Sequence, residues 1–323
     1  MGLVGAVKYL ELEDKFADFV GTRGCVAVNT GTAALHVALE ALSLPPEAEV
    51  IVPQYTMIAT AWAIYYAGLK PIFVDCGDDL LIDTEQIKNH LTDNTRVIMV
   101  THVYGRVVNM DAVMELANEY GLRIIEDAAE AHGCKWNNKM VGSYDIGCFS
   151  FYKNKIVCGE EGGAVVSDDL NFLDVVRDMK SMSFGKEHNY MHKQIGFNYR
   201  MTDTQAGLIL ESLKDVHKNA KVRKQNETLY DSLIDKKYHM PNRDIPWVYD
   251  IKVNDNKIVD RLRAEGVAAR YGFKPVSICA PFFVDASRTK AQEMANKIMY
   301  LPIDPQLKTE EIYSIVAKLR RLQ

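Results

Sequence analysis

The sequence predicts an α/β protein: a large, mostly parallel sheet domain covered by helices, followed by a small C-terminal α+β domain. Two observations carry this. Over the first half of the chain, short β-rich runs alternate with helix-like runs, the pattern of a parallel sheet with crossover helices on both faces. After about Ile234 the texture changes to a mixed, more charged arrangement.

The strand candidates in order are CVAV (25–28), EVIVP (49–53), PIFVD (71–75), RVIMVTH (96–102) and LRIIED (122–127). Helices are predicted between them at 32–42, 56–67, 84–91 and 110–120. In 32–42 the polar residues Thr32, His36 and Glu40 fall four apart, one narrow stripe on a mostly buried helix. The 110–120 helix stops at Gly121, a residue suited to a left-handed C-terminal cap. Strands CFSFY (148–152) and GAVVS (163–167) follow. From Thr202 to about Ile234 the pattern reads as one long connecting helix. Beyond it come a strand at 247–253, a helix at 256–266 closed by Gly266, and a terminal helix at 308–322. The expected domains are 1–205 and 206–323.

Bulk properties narrow the function. The chain has 323 residues and a formal net charge of -5, which argues against a general nucleic-acid binder. Six cysteines are scattered without metal-ligand spacing, and most lie in apolar runs, as in a reducing cytosol. No apolar run approaches the length of a membrane span. Residues 1–20 carry acidic side chains through their middle, unlike a secretory signal. A soluble cytoplasmic protein is expected.

In an open parallel sheet, active residues sit at the carboxyl ends of strands. Three features fall there. NTGTAAL (29–35) is a Gly-containing turn opening a helix, where backbone N–H groups and threonine hydroxyls could hold a phosphate; taken alone it reads as a simple capping turn. Asp127 ends LRIIED, and could pair with a cationic ligand group or cap the next turn. Lys153 and Lys155 follow the strand CFSFY. Either is by itself an ordinary surface lysine, but a lysine in a dry pocket is neutral often enough to attack a carbonyl. Together a phosphate site, a carboxylate and a lysine match what pyridoxal phosphate requires: an anchored phosphate, a protonated pyridine nitrogen and an aldehyde trapped by an amine. A nicotinamide-dependent Rossmann enzyme would want GxGxxG after the first strand, and NTGTAAL lacks it.

The ordered set NTGTAALHVAL, VIVPQYTMIATAWAI, HVYGRVVNMD, IIEDAAEAHG, FSFYKNK, EEGGAVV, GFNYRMTDTQAG and IMYLPID resembles the DegT/DnrJ/EryC1/StrS sugar aminotransferases over nearly the whole chain. The resemblance implies the pyridoxal-phosphate-dependent transferase fold type I, as in aspartate aminotransferase. It implies that Lys155 bonds the cofactor's aldehyde and that Lys153 is a turn residue. Asp127 would partner the pyridine nitrogen, Glu130 would lie beside the 3-hydroxyl, and Gly31, Thr32 and Ser150 would contact the phosphate. Asn198 would reach the phosphate of a neighbouring subunit, making a homodimer with shared sites. His192 and Arg200 would lie near substrate at that edge. His102 and Tyr104, in an HxYG pattern, read equally as catalytic or as packing residues. Against the family pattern, a helix begins near Val7, Met57 stands where relatives place an aromatic ring over the cofactor, and Glu160 replaces a glycine. The implied substrates are glutamate as amino donor and a nucleotide-linked 4-keto-6-deoxy sugar, in the style of the perosamine synthases. C3 amination, a dTDP- or UDP-linked sugar, or a cofactor-binding regulatory protein of the same fold are the alternatives.

Overall fold

The computed structural model describes residues 7–185 and 190–322, so the reading of residues 1–6 lies outside the described residues. The first body contains strands β1 (Gly24–Val28), β2 (Glu49–Pro53), β3 (Lys70–Val74), β4 (Thr95–Thr101) and β5 (Arg123–Asp127). A short hairpin, β6 (Lys135–Trp136) and β7 (Lys139–Met140), precedes β8 (Ile146–Ser150) and β9 (Gly163–Ser167). Its helices are α1 (Lys8–Val20), α2 (Gly31–Ala41), α3 (Ile58–Tyr66), α4 (Thr84–Ile87), α5 (Met110–Tyr120) and α6 (Leu170–Met179). Two further helices, α7 (Asp203–Lys214) and α8 (Val216–Leu233), lead to β10 (Tyr249–Lys252), α9 (Ile258–Ala264), β11 (Arg270–Tyr271), α10 (Lys290–Ala295), β12 (Ile298–Leu301) and α11 (Thr309–Leu322).

Seven strands form one sheet in the order β1-β9-β8-β5-β4-β2-β3. The pairs from β3 through β8 are parallel. Only β9 runs the other way, pairing antiparallel with both β8 and β1. The expected mostly parallel sheet is therefore present. Its central strands are buried on both faces, which explains their continuous apolar runs. One face packs α2, α3 and α6 through Leu35, Leu39, Ile64 and Val176. The other packs α1 and α7 through Phe16, Ile209 and Leu210.

Several expected boundaries shift. The 84–91 helix is α-helical only to Ile87 and continues as a 3-10 turn over Lys88–His90. The 148–152 strand starts earlier, at Ile146, and ends at Ser150. The single long helix expected from Thr202 to Ile234 is two helices, broken at Asp215 (φ -97, ψ 4). No Gly or Pro marks that break. It comes from packing: α7 lies on α1, whereas Tyr230 of α8 joins the separate core of α9 and α11. Val216 still packs with α1 and α7, and further along α8 the contacts pass to the C-terminal part. Helix α6 was not anticipated, although Asp169 caps it by accepting from Phe172 N.

The C-terminal part is a three-stranded antiparallel sheet, β10-β12-β11, backed by α9 and α11. It is the expected small α+β unit. Its strand-end residues face the carboxyl edge of the large sheet, where Trp247 and Tyr300 pack against Tyr104. Among the described residues no helix is long and apolar enough to cross a membrane.

Candidate active site

The carboxyl ends of β1, β4, β5 and β8 and the amino end of the reversed strand β9 converge on one cavity of about 500 Å³. Its wall includes Gly31, Thr32, Met57, Asp127, Glu130, Ser150 and Lys155, each expected from the sequence. Thr101, Trp247, Phe273 and Tyr300 also line it.

One end of the cavity is the first turn of α2. Thr30 caps this helix, its Oγ1 accepting from Ala33 N at 3.0 Å, which leaves the leading N–H groups and the positive end of the helix dipole facing the cavity. Two glycines let the backbone close in here. A Cβ on Gly31 would lie 2.7 Å from Ser150 Cβ, and one on Gly163 would lie 2.3 Å from the Thr30 carbonyl oxygen. The turn, Ser150 and the start of β9 thus form a tight cradle for an anionic group.

Asp127, the last residue of β5, is 4% exposed. Thr60 Oγ1 donates to its Oδ2 at 2.7 Å, and Ala129 N donates to its Oδ1 at 3.2 Å. The second bond is the turn-capping reading of Asp127; the first leaves the carboxylate aimed into the cavity. Thr60 is itself bound to Thr56 at 2.9 Å, and Thr56 to Thr101 at 3.1 Å. Burial raises the Asp127 carboxyl above its usual range, opposed by Thr60, the Ala129 N–H and Lys155.

Lys155 follows a turn in which its own N–H donates to the Tyr152 carbonyl at 2.8 Å. Its side chain is 11% exposed and its Nζ lies 3.6 Å from Glu130 Oε1. Burial lowers the pKa of this amine, while Glu130 and Asp127 pull it up. Glu130 is held by the Tyr104 N–H at 3.0 Å. Burial pushes its carboxyl up to about 7, with Lys155 opposing. Lys153, by contrast, is exposed and lies over the Tyr152 ring, as expected for a turn lysine.

The remaining residues divide. Met57 lines the cavity and is 50% exposed at its mouth. His102 is fully buried away from the cavity; its Nδ1 accepts from Val108 N at 3.2 Å, so its Nε2 carries the proton that faces Glu126 Oε2 at 3.1 Å. Glu126 also accepts from Gly142 N and Tyr144 N. His102 is thus a structural tie between β4, β5 and the hairpin region. Tyr104 packs, its hydroxyl 3.3 Å from that of Tyr55. Asn198, His192 and Arg200 do not line the cavity of their own chain. Asn198 and Arg200 are exposed beside Ser181 and Val28, and His192 Nδ1 bonds the Met182 carbonyl at 2.8 Å.

Sequence reasoning missed Thr60 and Trp247. Thr60 sits inside an apolar helical run, and Trp247 comes from the C-terminal part; neither carries a local signal of a site.

The cavity fits pyridoxal phosphate on its own features: an anion cradle that no Cβ would permit, a buried carboxylate and a buried amine. Gly31, Thr32 and Ser150 would hold the phosphate, Asp127 the ring nitrogen, and Lys155 the aldehyde carbon.

Comparison with known proteins agrees on the cofactor. A GDP-perosamine synthase of Caulobacter vibrioides is 33% identical over 289 residues, covering 84% of this chain and 78% of that protein. A UDP-N-acetyl-3-dehydro-alpha-D-glucosamine 3-aminotransferase of Acidithiobacillus ferrooxidans is 32% identical over 323 residues, covering 96% and 87%. The crystal structure of S. venezuelae DesV superposes with a TM-score of 0.91 at 27% identity, covering 99% of this chain and 90% of that one. With residues 6–320 matched, the chain belongs to the DegT/DnrJ/EryC1/StrS aminotransferase family, and it is a pyridoxal-phosphate-dependent sugar aminotransferase.

Proposed function

We propose that this enzyme moves the amino group of glutamate to C4 of a nucleotide-linked 4-keto-6-deoxy sugar, as a cytoplasmic homodimer, with GDP as the nucleotide. The observation that carries the reading is the pairing of one poorly solvated amine, Lys155, with one buried carboxylate, Asp127, in a single cavity beside an anion cradle. The GDP and C4 assignments draw on the similarity to GDP-perosamine synthase. The similarity to a 3-aminotransferase of a UDP-sugar supports C3 amination as the second reading.

When bound, pyridoxal phosphate supplies an electron sink for the pair left on a substrate carbon. The chain supplies the rest. Gly31, Thr32 and Ser150 bind the phosphate through the α2 N-terminus. Asp127, oriented by Thr60 and Ala129, holds a proton at the pyridine nitrogen. Lys155 Nζ would take the proton from the substrate carbon as general base and, as general acid, deliver it to the carbon that the cofactor's aldehyde supplies. Burial serves that role by making the free amine easier to reach near neutral pH. Glu130 sits where it can hold a proton beside Lys155. Trp247, Phe273 and Tyr300 exclude water on one side, with Met57 at the mouth. Asn198 reaches the phosphate of the second subunit in the proposed dimer, and His192 and Arg200 lie at the substrate edge. Amino donor and keto-sugar use the one cavity in turn, so ping-pong kinetics are expected.

The test is a substrate panel: GDP- and dTDP-linked 4-keto-6-deoxy sugars offered with glutamate, and product followed by mass. Amination of the GDP sugar is expected. Absence of any aminated sugar from a preparation that binds pyridoxal phosphate would remove the substrate assignment.

A further inference from the structure

Lys155 has a neighbour to which the roles above give only the exclusion of water. Its Nζ lies 3.8 Å from the centre of the Trp247 ring, well inside the range at which an ammonium is attracted to an indole face. The indole is fixed from several directions. Its Nε1 donates to the carbonyl of Asn154 at 2.8 Å, the residue directly before Lys155. Its own carbonyl accepts from Arg223 Nη1 at 2.7 Å. Its ring packs on Tyr104 and Tyr300, centroids 6.0 and 6.2 Å away. Trp247 is 6% exposed.

Its position in space is also particular. Trp247, Asn154 and Tyr300 line the lysine cavity and also a neighbouring cavity of about 150 Å³. The indole is therefore part of the partition between the two. Arg223, which anchors it, is 3% exposed and reaches Asp304 at 3.2 Å. The anchoring thus runs through α8 and the C-terminal part, while the indole N–H grips the turn of the large sheet.

We propose that Trp247 is a positioning residue for Lys155: its indole, tied to the backbone of the same turn, holds the amine against its ring face and sets how readily that amine gives up its proton. The electrostatics have a definite sign. The ring's negative face favours the charged amine, as do Glu130 and Asp127, against the burial that disfavours it. Trp247 also fixes the direction of Nζ, because the ring sits on one side of it and Glu130 within 3.6 Å. The proposal rests on Lys155 being the reacting lysine, and its test uses neither sugar nor glutamate, so failure of the substrate assignment leaves it standing.

The experiment is competitive acetylation of the cofactor-free full-length chain with acetic anhydride across a pH series. Acetylation at Lys155 is read by peptide mass, with exposed Lys153 as internal reference. Circular dichroism checks the fold of each variant. In Trp247→Leu the Lys155 profile is expected to move to lower pH by about one unit, with Lys153 unchanged. Trp247→Phe, which keeps a ring face but loses the N–H to Asn154, is expected to fall between. Replacement of all three tryptophans by 5-fluorotryptophan weakens the ring face without changing its shape, and is expected to move Lys155 alone in the same direction. That arm decides the matter even where Leu is not tolerated. An unchanged Lys155 profile overturns the proposal. So does a shift to higher pH, the result if the indole only kept water out.

Discussion

Thr60 Oγ1 donates a 2.7 Å hydrogen bond to Asp127 Oδ2 inside a chain of hydroxyls that runs through Thr56 to Thr101. The bond is made to the charged form of a carboxylate that burial would otherwise push toward the neutral form. It therefore lowers the Asp127 pKa, and its removal raises it. Thr60→Val, close in shape, is expected to shift the acid limb of the pH–activity profile upward by about one unit. An acid limb at the wild-type position would show that Thr60 does not tune Asp127.

Glu130 gives a stability prediction with a worked sign. Its carboxyl titrates near 4.5 when free and at about 7 in the fold. Between those values the folded chain keeps a proton that the unfolded chain has lost. Stability contributed by this group is therefore full below 4.5 and is lost as pH rises through 7. Glu130→Gln carries no charge at any pH and removes that slope. Denaturant melts near pH 5 and pH 8 should show a wild-type decline steeper than that of the variant by about 3 kcal/mol. Parallel pH dependence in the two proteins would contradict the placement of Glu130.

Gly163 stands where β9 meets the turn before α2. A Cβ there would lie 2.3 Å from the Thr30 carbonyl oxygen, a backbone atom that cannot step aside. Gly163→Ala is expected to displace the α2 N-terminus and weaken pyridoxal phosphate binding by at least tenfold, read by absorbance titration. Unaltered affinity would detach the cradle from the phosphate.

Glu160, which replaces a glycine of the family pattern, adopts φ 65 and is exposed. An L-residue pays about 1–2 kcal/mol in that region, against which glycine loses about 0.5–1 kcal/mol of extra chain entropy. Glu160→Gly should therefore raise the melting temperature slightly, by a degree or two, with little change in activity. A lower melting temperature would mean that the Glu160 side chain makes a contact of its own.

The strands along the chain and the ends that carry chemistry were legible because both are local, whereas the sheet order and the reversed strand β9 depend on distant pairings. An apolar run closing on a carboxylate, as in RIIED, states the strand and its active end together. The Gly–Thr turn before TAALHVAL did the same for α2. Lys155 was distinguishable from Lys153 only through the family motif; the structure separates them by burial, since one points inward and the other lies on solvent. The break at Asp215 was not legible, because both flanking segments are good helices and only their different packing partners divide them. Thr60 and Trp247 were hidden for a related reason. Each acts through a residue far away in sequence, on Asp127 and Lys155, and a threonine in an apolar helix or a tryptophan before a strand reads as core. Asn198, His192 and Arg200 lie on an exposed edge of the single chain, where a local motif gives no geometry.

The central claim is that the amine of Lys155 is the one that bonds the cofactor's aldehyde. Purified protein loaded with pyridoxal phosphate, reduced with borohydride and digested, tests it directly by peptide mass. The account predicts the cofactor's mass on Lys155 and on no other residue. A pyridoxyl group found on Lys153, or on any lysine outside this cavity, would contradict it.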